Sequence, residues 1–280
     1  MLFLSIIIRI LSNPIANVIQ KKLTLNFGSF YVNTITYGGL FLCTIPFTNI
    51  QHLSYDVWFY GVLGGLLGAL GNACLIKALS LGDLSVLGPI NAYKAVIAMV
   101  LGIFILHEIP SITGILATIL IILGSYFIFD TVKEKFTFAL LKRKDIQYRF
   151  LALLLTGLEA LMIKEVIIRS NILISFVMWC GFGFIFSLVF SILKKERFYS
   201  LNYKSALMFI GLILMFGLMQ ITTNYVFVNM NVSYALAFFQ LSAIINVLFG
   251  YSFFKETHII KKLIGTAIMI LGAIILNCFT

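Results

Sequence analysis

The sequence predicts an all-α integral membrane protein, with ten transmembrane helices in two inverted five-helix repeats around a central cavity. Three observations carry that prediction. The 280 residues are 61% hydrophobic and only 11% charged, with a mean hydropathy of +1.07. The apolar residues fall into ten separate runs. The two halves of the chain also resemble each other at a constant offset.

Composition sets the class. Soluble chains average about 45–50% apolar and about 25% charged residues, so a chain this apolar belongs in a bilayer. Barrel strands alternate apolar and polar residues; the runs here are continuous, which selects helices. The net charge of +10 sits in short connectors beside the apolar runs. That pattern fits the positive-inside rule and leaves no basic domain to hold a nucleic acid. Cys43, Cys74, Cys180 and Cys278 lie in apolar runs without a CxxC pair and read as small packing residues. The first segment lacks a small-residue cleavage site and is expected to be retained.

A helix needs about 20 largely apolar residues to span. The runs that qualify are 2–20, 30–49, 57–78, 85–106, 111–130, 150–168, 172–193, 206–228, 233–254 and 262–279. The first holds Arg9, Asn13, Asn17 and Gln20 at i, i+4, i+8 and i+11, one face of a helix, with Pro14 removing a backbone donor. The third carries Gly61, Gly64, Gly65 and Gly68, a small-residue face for close helix approach, and then Asn72 and Lys77. The fourth contains Tyr93 and Lys94 and ends at Glu108. A basic connector, 131–149, follows the fifth run, and its composition allows an amphipathic piece on the membrane surface. It separates a first repeat, 1–130, from a second, 150–280. The sixth run contains Glu159, Lys164 and Glu165, the eighth Gln220 and Asn224, and the ninth Gln240, ending at Glu256.

Most Lys and Arg residues fall in alternate connectors, including Lys21, Lys22, Lys142, Arg143, Lys144, Lys194, Lys195, Arg197, Lys261 and Lys262. The charge rule puts these inside the cell and both termini outside. Shifting the chain by 148 residues lays 84–108 on 232–256 without a gap. Ser85 then meets Ser233, Ala95 meets Ala243, Gly102 meets Gly250, Glu108 meets Glu256, Thr118 meets Thr266 and Gly124 meets Gly272. Five spans per half is an odd number, so the second half must be inverted in the bilayer. Inverted repeats characterise alternating-access carriers.

The segments "ALSLGDLSVLGPI", "LHE" and "ITGILATILIILGSYFI" resemble the end of an EamA repeat. "NVSYALAFFQLSAIINVLFGYSFFKE" and "KKLIGTAIMILGAIIL" resemble it again, while "NPIANVIQKKL" and "TGLEALMIKEVI" are similar to the opening helices of two such repeats. The chain thus resembles EamA-type transporters of the drug/metabolite transporter superfamily over nearly its whole length. The resemblance implies ten helices around a central cavity. It also implies secondary transport or facilitation of substrates ranging from amino acids to nucleotide sugars and sugar phosphates. It implies cytoplasmic termini, opposite to the charge count. The second repeat departs from the first at Ala237, which stands where the first has Pro89.

A charge at a helix centre costs about 2.5–3.5 kcal/mol on the insertion scale, so central charges should face the bundle interior. Arg9, Lys94 and Glu159 are the central ones. Glu159 either pairs with Arg9 or Lys94 to fix packing, or joins them in lining the cavity. In the second case one cation is left over for a carboxylate or phosphate, and Glu159 is the candidate for proton coupling. Arg9, Asn13, Asn17, Asn72, Tyr93, Lys94, Glu159, Gln220, Asn224 and Gln240 form the predicted substrate-binding set. Glu108 and Glu256 read as gate or helix-end residues. His52, His107 and His258 stand alone at run ends, without HExxH spacing, and no GxSxG is present. No enzyme, metal or cofactor is therefore expected.

The expected function is a secondary transporter or facilitator of a small polar metabolite, amino-acid-like or other. It is expected to work as a monomer, multi-pass in the plasma (inner) membrane, with the lipid bilayer and a small-molecule substrate as partners. The alternative is an anion exchanger of the sugar-phosphate or nucleotide-sugar kind; a non-transporting membrane scaffold is the third reading.

Overall fold

A computed structural model describes residues 1–48, 53–94, 96–97, 111–132, 137–197 and 201–278, and their regular structure is helical throughout. The helices are α1 (Leu2–Leu23), α2 (Ser29–Thr44), α3 (Tyr55–Leu81), the first turn of α4 (Leu84–Leu87), α5 (Ile112–Phe129) and α6 (Lys144–Arg169). They continue with α7 (Ile172–Leu193), α8 (Tyr203–Asn229), α9a (Val232–Phe239), α9b (Ser242–Phe254) and α10 (Ile259–Cys278). Among the described residues, seven stretches are long and apolar enough to cross a membrane: α1, α3, α5, α7, α8, α9a–α9b taken together, and α10. Of the other predicted spans, α2 has 16 residues. Most of the fourth, including Ala95, Gly102 and Glu108, lies outside the described residues, as do His52 and His107.

The sixth span begins earlier than its apolar run. Lys144, Asp145 and Arg149 read as connector because they are charged, yet they belong to α6. Asp145 is buried in its first turn beside Arg143 (Nη2 to Oδ2, 2.8 Å), and Ile146 is buried next to it. Residues 138–142 of the connector form a 3-10 turn.

The halves match in structure as in sequence. Adding 148 to the bounds of α3 gives those of α8, and adding it to Leu84 gives the start of α9a. The packing partners survive the same exchange. α3 lies on α6 as α8 lies on α1, α3 touches α7 as α8 touches α2, and the pairs α2–α7 and α5–α10 map onto themselves. The seam between α5 and α10 is made at backbone distance. A Cβ on Gly124 would sit 2.6 Å from the Gly265 carbonyl oxygen, and one on Gly272 would sit 2.7 Å from that of Ala117. Gly124 corresponds to Gly272, and Ala117 to Gly265, so one contact is made twice.

α1 runs through Pro14 without a break. Phe3, Leu4, Ile7 and Leu11 are exposed on its outer face, while Ser12, Pro14, Ala16, Asn17 and Gln20 are buried. The fourth and ninth spans are not continuous α-helix. After Gly88 the chain tightens into a 3-10 turn, Pro89–Ala92, because Pro89 supplies no amide donor. The ninth span tightens at Gln240–Leu241, where the amides reach back three residues to Ala237 and Phe238. That interruption occurs without a proline.

One end of the bundle is tied by Glu256, which follows α9b. Its Oε1 accepts from the Leu84 amide (2.8 Å) and from Lys21 Nζ (3.1 Å). Its Oε2 accepts from the Ser85 amide (2.8 Å) and the Ser85 hydroxyl. Lys262 Nζ donates to Ser85 Oγ (2.7 Å) and lies 3.9 Å from Asp83 Oδ2. Burial alone would raise the Glu256 pKa. The Ser85 hydroxyl, the Lys21 charge and the Ser85 and Leu84 amides outweigh it and hold the carboxyl below its ordinary 4.5.

Two expectations follow from this packing. Gly124→Leu should lower the thermal midpoint of the purified protein, because overpacking a closed seam costs about 1–3 kcal/mol. Gly157→Ala, with nothing within 4 Å of its Cβ, should not; equal midpoints for the two variants would contradict the seam. The Glu256 carboxylate adds stability that is fully present above pH 4.5 and is lost as pH falls through the lowered value. The midpoint should therefore drop on acidification below that point, and Glu256→Gln should flatten the drop.

Candidate functional site

A cavity of about 130 Å³ lies between the two halves. α1 supplies Arg9, Asn13 and Asn17 to its wall, and α3 supplies Asn72. The interrupted fourth span supplies Gly88, Asn91 and Lys94, and α6 supplies Arg149, Thr156 and Glu159. Gln220 and Thr223 come from α8, and Ser242 and Asn246 from α9b. Tyr37, Trp179 and Phe216 form its aromatic side.

Seven of the ten residues expected at the site line this cavity: Arg9, Asn13, Asn17, Asn72, Lys94, Glu159 and Gln220. The other three stand behind the wall. Tyr93 meets Ser125 through its hydroxyl (2.8 Å) and packs edge-on against Phe150. Asn224 is fully buried and accepts from Gln220 Nε2 at 2.9 Å. Gln240 accepts from Asn91 Nδ2 at 2.9 Å.

The α1 stripe meets a polar partner at nearly every turn. Arg9 Nε donates to Thr223 Oγ1 (2.8 Å), and the guanidinium lies 4.7 Å from the centre of the Phe239 ring. Asn13 Nδ2 donates to Ser242 Oγ (3.4 Å), and Asn17 Nδ2 to Asn246 Oδ1 (3.1 Å). Gln20 Nε2 donates to Asn72 Oδ1, and Asn72 Nδ2 donates to Asn33 Oδ1 at 2.6 Å. Unpartnered polar groups cost roughly 1–3 kcal/mol when buried, so this pairing is what lets the stripe exist.

Glu159 accepts from Trp179 Nε1 at 2.5 Å. α3 makes room for the pair: a Cβ on Gly68 would fall 2.5 Å from Glu159 Oε1 and 3.0 Å from Trp179 Nε1. Gly61, Gly64 and Gly65 likewise pack against α6 or α7, the close approach expected of that face. Trp179 is held by Tyr37 (ring centres 4.8 Å apart) and Phe216 (5.4 Å).

Arg149 is a site cation that sequence reasoning missed. Its Nε donates to the Leu87 carbonyl (2.8 Å) and its Nη2 to Asn91 Oδ1 (3.1 Å). It thereby fastens α6 to the interrupted fourth span, and Asn91 links that interruption to the one in the ninth through Gln240. Lys94 lies within electrostatic reach of Glu159, Arg149 and Arg9. The described part of the wall thus carries three basic side chains and one carboxyl group. Among the described residues, Arg9 Nη1 and the Tyr37 hydroxyl are buried without a hydrogen-bond partner, leaving two donors for an occupant. Ser242 and Asn246, spaced i and i+4 in an apolar run, carried a signal of the kind read in α1; Arg149 carried none that separated it from the basic connector.

A family model described as the EamA-like transporter family matches residues 3–130 and, a second time, residues 145–278. The chain belongs to the EamA-like transporter family. Membership and its apolar helices make it a multi-pass membrane protein of a family described as transporters. Streptococcus pyogenes proteins of serotypes M6 and M18, each described as a "putative sugar uptake protein", are 25% identical to this EamA-like chain over 99 residues. That stretch is 33% of this chain and 34% of each relative, so the chain spans about a third of the length of the curated relatives it matches. A crystal structure described only as that of a protein superposes with a TM-score of 0.65 over 95% of both chains at 14% identity. This likeness concerns the fold alone.

The Glu159–Trp179 pair can be tested in a Trp58→Phe background, which leaves one indole. Gly68→Ala should displace the pair and shift the emission of Trp179. An unchanged spectrum would contradict the packing described.

Proposed function

We propose that this EamA-like protein is a secondary transporter or facilitator that carries a small polar metabolite across the plasma membrane. It works as a monomer by alternating access between two inverted five-helix halves. The observation that carries this reading is the convergence of polar side chains from α1, α3, α4, α6, α8 and α9b on one cavity between the halves. Helix interruptions in the fourth and ninth spans border that cavity, as in carriers whose discontinuous helices form the substrate site. Amides on the wall suit a hydroxyl-bearing substrate, in keeping with the sugar uptake description of the relatives.

A second reading, an anion exchanger, is favoured by the three basic side chains against one carboxyl group in the described part of the wall. Arg149 strengthens it beyond the sequence expectation. A carboxylate or phosphate would take the free donors of Arg9 and Tyr37 and balance Lys94.

Thermal-shift screening of the purified protein against neutral sugars, sugar phosphates and amino acids identifies the substrate class, and flux into proteoliposomes then tests it. Lys94→Met and Glu159→Gln should each abolish or redirect transport while the protein still inserts. Losing one charged hydrogen bond, about 1.5–3 kcal/mol, corresponds to a fall of about 10- to 100-fold. Normal flux in both variants would sink the central site. An exchanger needs substrate on both sides of the membrane, and a scaffold moves nothing.

A further inference from the structure

Glu256 sits where two layers of polar contact close one end of the cavity. The inner layer is Asn17 on Asn246, across α1 and α9b. The outer layer lies one turn further along α1, about 6 Å on. There Lys21, Glu256, Ser85 and Lys262 join α1 and α4 of the first half to α9b and α10 of the second. Three of its four residues are buried, Ser85 at 0%, Lys262 at 2% and Glu256 at 8% exposure, and the Lys21 side chain is 16% exposed. Gly250 brings the backbones together at this point, since a Cβ there would lie 2.9 Å from that of Ser85.

We propose that this four-residue cluster is the gate of the transport path at the lysine-rich end of the bundle. It must separate each time substrate enters or leaves on that side. The proposal rests on the alternating-access reading above. A polar closure suits the task. Charged groups that part into water exchange one set of strong partners for another. At the 148-residue offset Glu256 falls on Glu108, which lies outside the described residues, and Ser85 on Ser233. The counterpart of Lys262 is Gly114.

The test uses a chain with its four cysteines replaced by serine and a reporter cysteine placed at Ala152, a small residue on the cavity wall. A membrane-impermeant thiol reagent is applied from the lysine-rich face of oriented vesicles. Glu256→Gln and, as a smaller change, Ser85→Ala should each raise the labelling rate at least about tenfold, with no rise from the opposite face. Labelling at the parent rate in both variants overturns the gate. Flux of the parent chain separates the two ideas. If the parent transports and labelling does not change, the gate fails and the transport reading stands. If labelling jumps but the parent moves nothing, the closure stands and the transport reading fails.

Discussion

A charged or amide side chain inside a bilayer has to be met by another polar group, and much of this architecture answers that demand. α1 alone brings Arg9, Asn13, Asn17 and Gln20 into the membrane. Each finds a partner on another helix: Thr223 on α8, Ser242 and Asn246 on α9b, Asn72 on α3. Those partners come mostly from the opposite half, so satisfying one helix joins the repeats. The pairing is incomplete at the centre, where Arg9 and Tyr37 keep buried donors unfilled. A site for a polar solute is what such a remainder resembles, because a fully satisfied interior would have nothing to offer it.

The interruptions in the fourth and ninth spans serve the same demand. A regular helix spends its carbonyls on its own amides; a tightened turn releases some. Arg149 takes the Leu87 carbonyl just before one interruption, and Asn91 joins that interruption to Gln240 in the other. The two irregular turns and a cation from α6 thus form one hydrogen-bonded unit at the heart of the bundle. Mid-helix 3-10 turns are common places for a helix to flex.

Sequence patterns reported some of this well. Periodicity exposed the inward face of α1 because polar residues are rare in an apolar run and their spacing is visible. The 148-residue repeat anticipated the matching bounds of α3 and α8 and the paired contacts at Gly124 and Gly272. Arg149 was hidden because a basic residue at the edge of a basic connector looks like its neighbours. Its role depends on α6 starting at Lys144, which burial of Asp145 and Ile146 decides. Tyr93, Asn224 and Gln240 have the same polarity as the wall residues, and only three-dimensional packing distinguishes a side chain on the cavity from one a layer behind it. The turn at Pro89 had a proline to announce it; the one at Gln240 had none.

The seam between α5 and α10 has a further meaning. Gly124 on Gly265 and Gly272 on Ala117 are the same contact seen from each side. In the language of quaternary structure this is an isologous interface, in which one patch recognises a copy of itself about a two-fold axis. Here both copies belong to one polypeptide. The halves of this chain meet as the subunits of a homodimer meet, and covalent continuity through the connector is not what defines their fit.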